Sequence, residues 1–131
     1  MQMTSLGPTL AAIAFGAVLG AWSRYGLSVA LNGRGWLPWG TFAANAIGGL
    51  LIGLAIAHFS ARNDFSPLWR MFFVTGFLGA LTTFSTFSAE VTTLLFEGNV
   101  LRGLALAALH LFVSLVLTAI GIWCYRAIVD V

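Results

Sequence analysis

The side chains best equipped for chemistry crowd into one otherwise apolar stretch, Thr75-Gly76-Phe77-Leu78-Gly79-Ala80-Leu81-Thr82-Thr83-Phe84-Ser85-Thr86-Phe87-Ser88. Two of its glycines and five of its hydroxyls (Thr82, Thr83, Ser85, Thr86 and Ser88) fall close together. Glycine weakens a helix, and β-branched threonine adds little support. Two readings fit. In one the helix is broken, an arrangement tolerated at membrane depth only where the freed backbone is buried in protein or lines a cavity. In the other it is kinked but continuous, with hydroxyls bonded back to the carbonyls one turn earlier. Phe84 and Phe87 are three residues apart and share a helical face. Such a pair usually serves packing, yet an aromatic ring carries a positive edge that can meet negative charge without trapping it.

Further polar groups recur at helical spacing. His110, Ser114 and Thr118 form a stripe at i, i+4 and i+8. The stripe could bond neighbouring helices or act as a ladder of donors for a dehydrated anion. Asn45 can offer two amide N–H donors, or serve as glue between helices. Arg24 ends an apolar run, where it would snorkel to the interface or make a mouth electropositive. Glu90 is the one acid inside an apolar run and is expected to face the interface, and His58 reads as interfacial.

The elements that must hold these groups follow from composition. Of 131 residues, 60% are hydrophobic and only 8% charged, and mean hydropathy is +0.96. So few charges cannot cover a water-exposed surface, where about 25% is usual. A membrane span needs roughly 20 apolar residues. Four runs meet this, at approximately 9–31, 40–59, 68–96 and 103–129. Their turns are Asn32-Gly33-Arg34-Gly35, Ser60 to Pro67, and Glu97-Gly98-Asn99. The predicted fold is therefore an all-α membrane protein, a single domain over 1–131 with four transmembrane helices. Trp22, Trp36, Trp39, Trp69 and Trp123 are expected near helix ends, as in an interfacial aromatic belt. The net charge of +2 is too small and scattered for nucleic-acid binding. Single Cys124 excludes an intrachain disulfide. The first apolar run is too long for a signal h-region, so no cleaved leader is expected.

The arginines add a topological reading. Arg62, Arg70 and Arg126 would lie on one side and Arg24, Arg34 and Arg102 on the other. Orientation follows Lys/Arg excess, and here there is none. The chain can then insert both ways, unless one stronger signal such as Arg24 fixes a single orientation. Polar residues in lipid must face protein or water, so self-association is expected. Gly16-xxx-Gly20 and Gly49-xxx-Gly53 permit close helix approach, either within a subunit or between copies.

Gly20-Ala21-Trp22-Ser23-Arg24-Tyr25, Gly40-Thr41-Phe42-Ala43-Ala44-Asn45-Ala46-Ile47-Gly48 and Gly76 through Glu90 together resemble the bacterial fluoride channels of the Fluc (CrcB) family. The threonine-and-phenylalanine run is the most specific of the three, and the resemblance covers nearly the whole chain. It implies a broken third helix and an antiparallel, dual-topology homodimer in the bacterial inner (plasma) membrane. Two parallel pores would allow passive efflux of fluoride. By resemblance the fluoride pore falls on Asn45, Phe84, Phe87, Ser85, Ser114 and Thr118, with Arg24 at a vestibule. A structural sodium ion would be held by the backbone carbonyls of Gly79 and Thr82. The expected partners are fluoride, a second copy of the chain and membrane lipid.

Other functions fit less well. Small multidrug exporters are also four-helix and dual-topology, but need a carboxylate in the first helix, and none is present. A non-transporting assembly subunit is compatible with the composition but leaves the polar stripe unexplained. No nucleophile–base or metal constellation suggests an enzyme.

Overall fold

The computed structural model describes residues 5–62 and 66–129. Residues 63–65, the middle of the predicted Ser60–Pro67 turn, lie outside the described residues. Helix α1 spans Leu6–Leu31 and α2 spans Trp39–Ala61. The third apolar stretch forms α3, composed of Pro67–Arg70, a widened π-helical segment Met71–Leu78 and a last turn Gly79–Leu81. It then resumes as α4, Phe84–Phe96. Helix α5 spans Val100–Val129. Counting α3 and α4 together as Pro67–Phe96, four helices among the described residues are long and apolar enough to cross a membrane.

The predicted limits agree with these helices to within a few residues. The start of α1 differs, because Pro8 lies in its first turn instead of ahead of it. The first amide groups of a helix have no partner within it, so the N–H that proline lacks is not missed there. Pro67 opens α3, and Pro38 precedes α2. The α4–α5 turn closes as a Schellman motif. Asn99 N–H bonds Leu94 O at 2.8 Å and Gly98 N–H bonds Leu95 O at 3.1 Å. Gly98 supplies the positive φ of 80° that this turn needs.

Trp22 departs from the aromatic-belt expectation. It sits well inside α1 and is 70% exposed. Arg24 likewise does not end its helix. The chain stays helical for about two more turns, to Leu31. Its side chain finds a partner on the neighbouring helix, where Arg24 Nε donates to the Ala80 carbonyl at 3.1 Å.

Small residues bring the helices together in two pairs. Gly16 and Gly20 of α1 pass so close to the Phe72 and Phe77 carbonyls of α3 that a Cβ on either would collide with backbone. A Cβ on Gly76 would lie 2.6 Å from Ile13 O. Gly53 passes the Thr118 carbonyl equally closely, and a Cβ on Gly49 would lie 3.0 Å from Ser114 O. Both small-residue motifs thus pack within the subunit, α1 on α3 and α2 on α5. Gly79 is different. A Cβ there meets only Val74 O, at an ordinary 3.6 Å, and the residue is exposed.

Candidate functional site

The third apolar stretch is broken at Thr82 and Thr83, just past Gly79, and both residues are extended, with φ/ψ of −81°/152° and −148°/117°. Gly76 and Gly79 remain helical. A pair of β-branched residues yields helical geometry readily when its groups find other partners, and here they do. Thr83 N–H donates to Asn45 Oδ1 at 2.8 Å, and Asn45 Nδ2 donates to Thr83 O at 3.0 Å. The amide of Asn45 therefore replaces a neighbouring backbone at the break. Thr83 Oγ1 caps α4 by accepting from Thr86 N–H at 3.1 Å, and lies 3.0 Å from Thr86 Oγ1 and 3.3 Å from Ser85 Oγ. Arg24 satisfies Ala80 O on the other side of the break.

A groove of about 450 Å³ opens beside this break, between α2, α3, α4 and α5. Its walls bring together most of the residues picked from sequence: Asn45, Phe84, Phe87, Ser114 and Thr118, with Gly79 and Thr82 at one side. Ser85 and Arg24 are not part of its lining. Phe84 and Phe87 meet edge to face, with centroids 5.4 Å apart, and Phe84 is 79% exposed. Thr118 Oγ1 donates to Gly49 O at 3.0 Å and Ser114 O at 2.8 Å.

One groove residue was visible in the polar stripe but not assigned to the site. His110 is 4% exposed and sits between two phenylalanines. It stacks on Phe87 at 4.6 Å and 24°, and takes the edge of Phe42 at 5.4 Å and 75°. Its Nδ1 lies 3.1 Å from Asn45 Nδ2, while its Nε2 is buried with no hydrogen-bond partner among the described residues. The i, i+4, i+8 register was the signal that could have placed it. Glu90 also differs from expectation. It turns inward, where Thr41 Oγ1 donates to Oε1 at 2.6 Å and Oε2 is buried without a partner among the described residues. Thr41 is itself 1% exposed and lies one turn before Asn45 on α2, so it fixes Glu90 beside the same helix.

A family profile described as CrcB-like protein, Camphor Resistance (CrcB), matches residues 11–122. The chain belongs to the CrcB family. Among similar members is a protein of Variovorax paradoxus, 52% identical over 117 residues, 89% of this chain and 94% of its own length. One from Pseudomonas putida is 54% identical over 115 residues, covering 87% and 91%. One from Cupriavidus metallidurans is 50% identical over 125 residues, covering 94% and 99%. All three are named fluoride-specific ion channel FluC. The matched region of this CrcB-family chain includes Gly16 and Gly20 of α1, the break and the polar stripe of α5.

Proposed function

We propose that the chain is a fluoride-specific channel, working as an antiparallel, dual-topology homodimer in a bacterial inner membrane. It would allow passive efflux of fluoride through two pores. One observation carries this reading: at the helix break, phenyl rings, hydroxyls and the buried imidazole of His110 line one groove. Stripping a small, tightly hydrated anion costs many kcal/mol unless fixed donors replace its waters. Ring edges of Phe84 and Phe87, the Ser114 hydroxyl and His110 are suited to that exchange. Chloride is larger and would gain less from so narrow a set. No carboxylate lines the groove among the described residues, which favours passive flow over proton coupling. Names of the relatives support the choice of ion.

The dimer reading draws on exposure and charge. Phe84 and Gly79 stand exposed within a membrane span, and no neighbour within the chain requires glycine at 79. With Arg24 committed to Ala80, the helix ends carry Arg34 and Arg102 against Arg62, Arg70 and Arg126, close to the balance that permits both orientations. A structural sodium ion fits the residues at the break. The end of α3 presents backbone carbonyls that α4 does not continue, and carbonyl ends of half-helices attract cations. Gly79 and Thr82 would hold it, and it would neutralise carbonyl charge between the subunits. Arg24 and Asn45 keep that backbone in place from either side.

The deciding test is purified protein in liposomes loaded with potassium fluoride and read with a fluoride electrode. Rapid fluoride release after valinomycin, with no matching chloride release in parallel vesicles, is expected. Liposomes no leakier than empty ones would refute the reading.

A further inference from the structure

The pattern of bonds around Asn45 fixes the chemistry of His110. Thr83 N–H can only donate and Thr83 O can only accept, so the amide orientation of Asn45 is set by backbone on both atoms. One Nδ2 hydrogen goes to Thr83 O. The other faces His110 Nδ1 at 3.1 Å. A nitrogen that receives a hydrogen bond carries no proton, so His110 Nδ1 is the acceptor. An imidazolium, or the Nδ1–H tautomer, would set N–H against N–H. The ring is therefore neutral, with its proton on Nε2. That atom is buried and has no partner, and an unmade buried hydrogen bond is costly.

We propose that Asn45 is a positioning residue. It fixes His110 as the Nε2–H tautomer, so that His110 presents a donor with no competing protein acceptor to a small anion in the groove. The anion in this statement rests on the fluoride reading above; the tautomer does not. The reading also changes the role of Asn45. Both of its N–H groups are already spent, so it acts on an ion through His110 and through the Thr83 backbone. Phe87 and Phe42 hold the imidazole plane from two directions, which leaves the donor little freedom to turn away.

Nitrogen-15 NMR of full-length protein labelled at histidine and reconstituted in lipid tests this. The chain has two histidines, and His58→Gln assigns the signals. The expected spectrum has an unprotonated Nδ1 and a protonated Nε2 at His110 at neutral pH. The opposite tautomer, or an imidazolium, would overturn the proposal outright, whatever the protein conducts. Sodium fluoride should shift the Nε2–H resonance while sodium chloride leaves it in place. An unmoved resonance in protein that conducts fluoride would overturn the anion contact. Asn45→Asp should move the proton to Nδ1, because a carboxylate accepts where the amide donated, and should cut fluoride flux at least tenfold. Unchanged tautomer in a folded Asn45→Asp protein would also count against it. Should that variant fail to fold, the wild-type spectrum decides alone.

Discussion

Arg24 offers a way to measure what holds the helix break. Its Nε sits 3.1 Å from Ala80 O. Replacing it by an apolar residue removes both this bond and the cost of a charge within a membrane span, roughly 2.5–3.5 kcal/mol on insertion scales. The two effects oppose each other, so arginine against a neutral variant is a poor comparison. Arg24→Gln against Arg24→Met is a better one. The glutamine amide nitrogen occupies the chain position of arginine Nε and can keep the bond, whereas methionine is of similar length and cannot. The pair differs by one hydrogen bond and by whether Ala80 O is left unpaired, together about 2 kcal/mol. That is about 30-fold in an unfolding equilibrium. Titration with a denaturing detergent, followed by tryptophan fluorescence, should therefore place Gln above Met by that amount. Flux in Gln should also exceed flux in Met, since only Gln holds the break. Equal stability and equal flux in the two variants would refute the bond, and would return Arg24 to a purely electrostatic role at a vestibule.

Phe84→Ile and Phe87→Ile keep apolar bulk but remove the ring quadrupole, and Phe87→Ile also removes the stack on His110 at 4.6 Å. Each should lower fluoride efflux at least tenfold while the protein still assembles; normal efflux in both would make the rings mere packing. Prolonged exchange of sodium for a large organic cation on both sides should lower fluoride conduction reversibly, without sodium flux, and full activity after verified removal would exclude the ion. Terminal tags probed in intact cells should appear on both sides of the membrane. Adding two or three Lys between Ser60 and Pro67 should force one orientation and reduce activity, so full activity in a single-orientation population would rule out the antiparallel dimer.

Sequence alone determined the helices and the broad position of the site. Four runs of apolar residues separated by short turns, two of them glycine-bearing, leave few alternatives, because any span must satisfy its backbone internally and cross a fixed thickness. The residue types around the break and the register of His110, Ser114 and Thr118 were legible for the same reason: spacing on a helix fixes which side chains share a face. The break at Thr82–Thr83 was implied by the family resemblance, but the residues themselves left broken and kinked helices equally open. Broken and kinked helices cost similar amounts locally, and the balance was set by Asn45, which is 38 residues away in sequence from Thr83. Arg24 shows the same limit. Its default is to snorkel, and a backbone carbonyl on another helix engages it instead. The inward turn of Glu90 depended on Thr41, and the tautomer of His110 on a three-way contact among α2, the break and α5. Each of these outcomes is a choice between near-equal local options, made by a hydrogen-bond partner that only the packed helices bring within reach.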